Sequence, residues 1–387
     1  MTFFGTQSGP AVHALVIGVG AYPYLAGGQH ASATAELDFP GMGQLTSPLR
    51  SALAFARQLM TGGQGRWNLP LGSLDVLLSC APDDPFPEAA GQPYRDPTID
   101  NIRTAFESWA KRSSAHPDNI AVLYFCGHGL QSGSQLLLAS DFNRFGASPF
   151  AQAFDFDLTR LALQQSGPRT QCFVIDACRT DCLDRALSGA TPLAYPDPFR
   201  ARVCENELVL RMPPFDEATA RLQAVSHLTA ALLRALDGQA ATLDDAGDWV
   251  IRTADVHRAI GALFLEEIGI PSLACGVEAQ SNGGAVLLRL PEAPVTRLTV
   301  SCRPVPPASL TTLTCVPPDP PGGPEVHCGE PCRGGDDDSS GPSLEWQMEV
   351  RAGFYVVSAR SATTTASRLH SAYPPRSRAI LEMAPCR

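Results

Sequence analysis

The sequence has few charged residues for its size and no concentrated run of basic ones. Charged side chains make up 18% of the 387 residues, and the formal net charge is −10. No block of Lys and Arg is long enough to follow a phosphate backbone. We therefore expect no nucleic-acid binding, and proteins or peptides are the expected partners.

Long apolar runs are also missing. No stretch approaches the roughly eighteen uninterrupted apolar residues of a membrane-spanning helix. The first seven residues lack both the basic flank and the apolar core of a secretory signal. We expect a protein without a membrane span that resides in the cytoplasm.

The twelve cysteines lack the tightly paired spacing of structural zinc sites. His327, Cys328 and Cys332 come nearest to it, and 336–338 is a run of Asp that fits a solvated turn. Gly18-Val19-Gly20 is a lone GxG that does not lead straight into a helix, as a nucleotide-binding loop should. We expect no metal and no cofactor, and buried reduced thiols are the default for most of the cysteines.

The sequence does contain an alternation of wholly apolar strands with amphipathic helices. Strands are predicted at 12–20, 74–78, 119–125 and 170–175, and helices at 47–60, 98–111 and 158–165. Ser47 is predicted to cap the first of these helices. Strands that are apolar throughout and separated by helices indicate a mostly parallel sheet covered on both faces. The predicted fold class is α/β, doubly wound.

The length favours two units. The first spans 1–290: a larger part to about 180, a long loop at 181–214 with one candidate strand at 207–210, and a smaller part at 215–290. This smaller part has predicted helices at 226–236, where Ser226 can cap, and at 253–267, and ends in a predicted strand at 285–290. A Pro-rich link at 291–294 leads to 291–387, where β-like runs lie among Pro, Gly and Ser. This second unit is predicted to be a small β-sandwich.

Two short motifs stand directly after neighbouring predicted strands. Cys126-Gly127-His128-Gly129 follows one strand, and Asp176-Ala177-Cys178-Arg179 follows another fifty residues later. Because ligands of open α/β sheets bind beyond the carboxyl ends of the strands, the His128 and Cys178 side chains are expected to meet there. Separately, Cys178 could be a buried core thiol and His128 a turn residue, but the joint arrangement favours catalysis.

A thiol and an imidazole together can perform nucleophilic catalysis. A free cysteine has a pKa of about 8.5 and is mostly protonated at neutral pH, so an imidazole that accepts its proton activates it. The same imidazole can then protonate the leaving amine. The candidate catalytic residues are His128 and Cys178, and the backbone amides of Gly129 and Cys178 are the candidate donors to an oxyanion.

These motifs resemble those of the caspase and metacaspase class of cysteine peptidases, in particular its bacterial caspase-like members. The segments 124–129 and 136–141 are similar to the histidine block of the family, and 174–179 is similar to its nucleophile block. The resemblance covers about 12–290 and includes the helix near 226–233, which is similar to the one that opens the small subunit. It implies a caspase-like fold and an endopeptidase that cleaves a protein substrate or effector, in bacterial defence or programmed cell death.

The resemblance also bears on specificity. Asp176 lies two residues before the candidate nucleophile, as in metacaspases, whose S1 carboxylates select Arg or Lys. Metacaspases usually supply a second acid from the first helix, where this sequence carries Ser51. Selection of Asp would instead require guanidinium groups, and Arg50 and Arg179 are only nearby in sequence. We favour a basic P1 residue with Asp176 as the substrate-binding residue, although a buried Asp176 could equally cap a turn.

Family members are often cut between their large and small subunits. The 181–214 segment contains four arginines, Arg185, Arg200, Arg202 and Arg211, and we take these as candidate self-cleavage sites. Alternatively they only solvate a loop.

Two other functions are compatible with the sequence. The first is a catalytically silent module that keeps the caspase fold for binding. The second is a scaffold that acts through the C-terminal β-domain, for which we expect a partner protein.

Overall fold

The computed structural model describes residues 2–5, 9–63, 65–81, 94–181, 189–212, 223–269, 278–304, 311–317, 326–327, 332–333 and 344–385. Its helices are α1 (Ala35–Asp38), α2 (Ser47–Thr61), α3 (Ile99–Ser113), α4 (Phe156–Ser166), α5 (His227–Arg234) and α6 (Thr253–Ile268). Within the described ranges, no helix combines the length and the apolar character needed to cross a membrane.

The strands, in chain order, are β1 (Thr2–Phe4), β2 (Val12–Val19), β3 (Arg66–Trp67), β4 (Leu71–Ser79), β5 (Ile120–Gly127), β6 (Gly129–Ser132), β7 (Ser134–Leu138), β8 (Ala153–Asp155), β9 (Thr170–Ala177), β10 (Thr180–Asp181), β11 (Asn206–Arg211), β12 (Thr242–Leu243), β13 (Trp249–Arg252), β14 (Glu278–Asn282), β15 (Val286–Arg289), β16 (Val295–Arg303), β17 (Thr312–Val316), β18 (Val326–His327), β19 (Cys332–Arg333), β20 (Leu344–Arg351), β21 (Gly353–Arg360), β22 (Thr364–Ala372), β23 (Arg376–Glu382) and β24 (Ala384–Pro385).

A seven-stranded sheet forms the centre of the first unit, in the order β1-β4-β2-β5-β9-β11-β14. The five inner strands are parallel, and β1 and β14 pair antiparallel at the two edges. The apolar runs form these inner strands because helices cover both faces of the sheet. The predicted α/β class is confirmed.

Each face of the sheet has its own apolar core. On β2, Ala14 and Val16 face the core under α2, α5 and α6, whereas Leu15 and Ile17 face the core under α3 and α4. This alternation follows from the two-residue period of a strand. It makes both faces of each inner strand apolar, which is why the runs were recognisable in sequence.

The GxG at the end of β2 serves packing. A Cβ on Gly18 would lie 2.8 Å from the side chain of Ala52 and 2.8 Å from the carbonyl of Pro48, so the glycine lets α2 approach the strand closely. A Cβ on Gly20 would lie 2.7 Å from the carbonyl of Leu45. The two glycines thus bring α2 and the segment before it against the end of β2.

Two sequence predictions need correction, at Arg211 and at Ser47. The candidate strand at 207–210 is present as β11, a buried parallel strand of the central sheet between β9 and β14. Arg211 therefore belongs to a strand rather than to a loop. The strand predicted near 285–290 is β15, which joins β3, β12 and β13 in a separate sheet. Ser47, predicted as the cap of α2, is its first residue, and Thr46 is the residue before it.

The C-terminal region folds into two sheets around one core. β19, β20, β16 and β23 form one sheet, and β18, β17, β21, β22 and β24 form the other. Apolar residues of both sheets, among them Leu298, Trp346 and Val357, meet in a shared core. Trp249 and Tyr373, whose ring centroids lie 5.6 Å apart, join this region to the α/β unit.

Candidate active site

The structure brings the two predicted catalytic residues together at the carboxyl end of the central sheet. Gly127 of β5 pairs with Ala177 of β9, and Leu130 of β6 pairs with Thr180 of β10, both in parallel register with an offset of fifty residues. His128 and Cys178, which lie between these two pairs, therefore occupy equivalent positions on adjacent chain segments, which are about 4.8 Å apart.

His128 is buried and firmly held by its neighbours. Its Nε2 lies 2.8 Å from the carbonyl oxygen of Gly43. A carbonyl only accepts hydrogen bonds, so Nε2 carries the proton and Nδ1 of a neutral ring is left with its lone pair. Burial lowers the pKa of His128 to about 4, although the contact with Gly43 opposes the shift. The imidazole is consequently neutral at physiological pH and has one basic nitrogen.

Tyr22 also contacts His128, and the sequence analysis did not identify it. Its hydroxyl accepts a hydrogen bond from the backbone N–H of His128 at 2.8 Å and donates to the carbonyl of Leu138 at 3.4 Å. The two rings lie 4.8 Å apart between centroids. Burial raises the pKa of Tyr22 well above its usual range, so its hydroxyl stays protonated.

The glycines on either side of His128 are required by close contacts. A Cβ on Gly127 would lie 2.8 Å from the hydroxyl of Tyr22, and a Cβ on Gly129 would lie 2.6 Å from the carbonyl of Cys178. Any larger residue at these positions would displace Tyr22 or the backbone of the candidate nucleophile. The glycine-flanked histidine is therefore explained by packing on both of its sides.

Cys178 is partly buried, directly beyond the end of β9. Burial, with a further contribution from the charge of Asp176, raises the pKa of its thiol. The thiol and the imidazole therefore both rest in their neutral forms. Arg179 donates from Nε to the side chain of Gln131 at 3.0 Å, which ties it to β6.

Asp176 lies in a buried polar network beneath the predicted pair. The hydroxyls of Ser226 and Thr229 both donate to its Oδ2, the Thr229 bond being 2.5 Å long. Thr229 also lies 2.7 Å from the hydroxyl of Tyr124. Burial raises the pKa of Asp176, although these hydroxyl donors oppose the shift. Ser226 caps α5 as predicted, so Asp176 faces the positive end of that helix.

Ser51 belongs to the same network, at the position where the sequence analysis noted a missing acid. Its hydroxyl accepts a hydrogen bond from the backbone N–H of Ser226 at 2.9 Å, and the residue is completely buried. Cys126 contacts Ser51 and Asp176, and burial raises the pKa of this thiol well above its usual range. Position 51 therefore adds a hydroxyl to the network instead of a second carboxylate.

The candidate self-cleavage arginines differ in accessibility. Arg200 and Arg202 are exposed, and Arg202 pairs with the buried Glu207 at 3.4 Å. Arg211 is buried in β11, where it pairs with Asp157 at 2.5 Å. Arg185 lies outside the described residues.

The candidate metal ligands of the C-terminal region, namely the His327 and Cys332 side chains and all of Cys328, likewise lie outside the described residues. Over the part of the chain that the structure describes, no group of three or more His, Cys, Asp and Glu side chains is arranged to hold a metal ion.

Comparisons with known proteins identify the family of the α/β part of the chain. The family model described as the caspase domain, of the C14 peptidases, matches residues 11–251. An uncharacterized protein, y4kE of Sinorhizobium fredii, is 30% identical over 205 residues, which cover 51% of this chain and 58% of that relative. This chain thus spans less than two thirds of the relative's length. The crystal structure of protein GSU0716 from Geobacter sulfurreducens aligns with 71% of this chain and 94% of its own, with a TM-score of 0.42 and 11% identity.

Proposed function

Because the chain belongs to the caspase-domain family of C14 peptidases, we propose that it is a cysteine endopeptidase that cleaves protein substrates with a dyad of His128 and Cys178. The observation that carries the proposal is the placement of a partly buried thiol and a buried imidazole at equivalent register positions, with Nε2 of the imidazole bound to a carbonyl.

The neutral pair favours general-base attack. Sγ of Cys178 attacks the scissile carbonyl carbon while its proton moves to Nδ1 of His128. The carbonyl oxygen becomes an oxyanion that accepts hydrogen bonds from the backbone amides of Gly129 and Cys178. The imidazolium then protonates the leaving amine, and a water molecule, deprotonated by His128, hydrolyses the thioester and releases Cys178.

This proposal is tested with fluorogenic peptides that carry Arg, Lys, Asp or Leu at P1. We expect cleavage by the wild type and its loss, by at least about a thousandfold, in His128→Ala and Cys178→Ala. Cleavage that survives both substitutions would show that His128 and Cys178 do not form the catalytic dyad. Complete inactivity of the wild type on every peptide would favour the alternative, a silent caspase-fold module that acts by binding.

For specificity we propose that Asp176 favours Arg or Lys at P1. The carboxylate lies two residues before Cys178, and it can attract a guanidinium across the network formed with Ser226 and Thr229. The competing role is structural, because the same carboxylate faces the N-terminus of α5.

Asp176→Asn separates these two roles, with Thr229→Val as a matched control that breaks the network and keeps the carboxylate. A role in P1 recognition predicts that Asp176→Asn lowers kcat/KM for Arg and Lys substrates at least about tenfold more than for Leu. Equal losses for all P1 residues in both variants would assign Asp176 to structure alone.

Self-cleavage is proposed at the exposed Arg200 or Arg202, with Arg185 as a further candidate. Arg211 would become accessible only if β11 left the sheet, since it is 4% exposed. Mass spectrometry of the purified protein beside Cys178→Ala tests this. Fragments that end at these arginines should be absent from the variant, and identical fragment patterns would rule out autoprocessing.

The C-terminal region is proposed to bind a partner or the target protein. Its removal, by ending the chain at Pro291, should leave peptide cleavage intact and abolish cleavage of the protein target. A role in bacterial defence or programmed cell death remains an expectation from the family resemblance.

A further inference from the structure

The side chain of Gln44 holds two parts of the segment between β2 and α2 together. The side-chain oxygen of Gln44 accepts from the backbone N–H of Tyr22 at 2.8 Å, and its nitrogen donates to the carbonyls of Tyr22 at 2.9 Å and Ala26 at 3.0 Å. The side chain thus pairs with Tyr22 on both backbone groups, much as a neighbouring strand would.

The residues held by Gln44 contact His128 at two places, its ring nitrogen and its backbone. Gln44 is adjacent to Gly43, whose carbonyl accepts the proton of His128 Nε2. The hydroxyl of Tyr22 accepts from the backbone N–H of His128, and its ring packs against the imidazole. Tyr22 is fully buried, so no water molecule from solvent can take the place of its hydroxyl if the hydroxyl is removed.

Resting on the proposed function, we propose that Tyr22 and Gln44 are positioning residues that hold His128 with its proton on Nε2 and its basic Nδ1 available for Cys178. Tyr22 fixes the backbone of the histidine, and Gln44 fixes the carbonyl that selects its tautomer.

The physical reason is the small free-energy difference between the two neutral imidazole tautomers. A free histidine exchanges between them, and only a fixed hydrogen-bond partner on one nitrogen favours a single form. The partner here is a backbone carbonyl in an irregular segment, and such a carbonyl keeps its position only if the segment is held by other bonds. The three Gln44 bonds supply this restraint directly beside Gly43.

The chain offers a matched control for the glutamine. Gln165 makes the same pattern of bonds at the surface, accepting from the N–H of Asp197 at 2.8 Å and donating to the carbonyls of Asp197 at 2.9 Å and Arg200 at 3.1 Å. Gln165→Met removes an equivalent set of hydrogen bonds, and Tyr24→Phe is the corresponding control for the tyrosine. Neither control residue belongs to the proposed machinery.

The experiment compares wild type, Tyr22→Phe, Gln44→Met, Gln44→Glu and the two controls by ¹⁵N NMR of histidine-labelled protein. The His128 signals are assigned by their absence in His128→Gln, and the ¹⁵N shifts separate a protonated ring nitrogen from a bare one. Steady-state kinetics on an Arg peptide are measured in parallel, and thermal unfolding shows that each variant is folded. In Gln44→Glu the side chain can still accept a hydrogen bond from the N–H of Tyr22 but can no longer donate to the carbonyls. This variant replaces Gln44→Met in the comparison if Gln44→Met does not fold.

We expect one tautomer, with the proton on Nε2, in the wild type and both controls. In Tyr22→Phe and the Gln44 variants the shifts should move toward the average of the two tautomers, kcat should fall at least about tenfold, and KM should change by less than about twofold. Unchanged His128 shifts and kcat in these variants would overturn the proposal. If the wild type proves inactive, the proposed function fails, and the ¹⁵N shifts alone still decide the role of Tyr22 and Gln44.

Discussion

The neutral resting state of the dyad can be tested through the reactivity of Cys178 with iodoacetamide across pH. The pKa of His128 is lowered to about 4 and that of the Cys178 thiol is raised. At pH 6 a thiol with a pKa above about 8.5 is less than roughly 0.3% thiolate. An ion pair would instead hold the thiolate and the imidazolium together at that pH, as in strongly activated cysteine enzymes.

These two states predict different pH dependences for alkylation. The neutral pair predicts that the rate rises about tenfold per pH unit between pH 6 and 8, because only the thiolate reacts. His128→Ala should follow the wild type within about threefold, since the imidazole does not stabilise a thiolate in the resting enzyme. With its pKa near 4, about nine-tenths of the His128 imidazole is still unprotonated at pH 5. At the ordinary histidine pKa of 6.5, only roughly 3% of it would be unprotonated.

The assay uses quenched time points, tryptic digestion and tandem mass spectrometry. Cleavage after Arg169 and Arg179 places Cys178 in one peptide with Cys172, which is buried and has a pKa raised to about 12. Cys172 should remain unmodified and acts as an internal control for folding. A rate plateau for Cys178 below pH 7 that disappears in His128→Ala would refute the neutral pair.

Three further predictions concern residues around the site. Gly129→Ala should lower kcat/KM at least about a hundredfold, because the added carbon would lie 2.6 Å from the carbonyl of Cys178, whereas Gly146→Ala, which meets nothing within 4 Å, should leave it unchanged. The free energy of unfolding should fall by about 3 kcal/mol between pH 6.5 and pH 4, because the unfolded chain protonates His128 first, and urea unfolding of His128→Gln should lack that share of the loss. Arg211→Met should cost about 2 kcal/mol in the same measurement, since it leaves the paired carboxylate of Asp157 without its cation; an unchanged midpoint would contradict this.

The sequence was sufficient for the parts of the fold that depend on apolar runs. The inner strands of the central sheet were predictable because both of their faces are buried, and α5 was predictable from the cap at Ser226. The apolar run at 208–210 marked β11 as a candidate strand, but the charged Glu207 and Arg211 on either side of it did not indicate a buried position in the central sheet. In the fold these residues are buried with distant partners, Glu207 with Arg160 at 2.8 Å, and no local signal reveals such pairs.

The part of the site that was predictable consists of the two side chains proposed to react. His128 and Cys178 each follow an apolar strand, and parallel strands bring such residues to one edge. Tyr22 and Gly43 were not predictable, because they lie 106 and 85 residues from His128 along the chain, and one of them acts through a backbone carbonyl. The Gly18–Gly20 motif precedes this segment, but a GxG alone does not reveal the close approach of α2 that its glycines permit.

The most direct test of the central claim is to label the catalytic nucleophile covalently with a peptidyl chloromethyl ketone that carries Arg at P1. The ketone alkylates a nucleophile that has bound the peptide in a reactive geometry, and tandem mass spectrometry identifies the modified residue. Catalysis by the dyad predicts one adduct on Cys178, blocked by competing substrate and slowed at least about a hundredfold in His128→Ala. An adduct on another cysteine such as Cys126, or peptide cleavage that continues in fully modified protein, would contradict it.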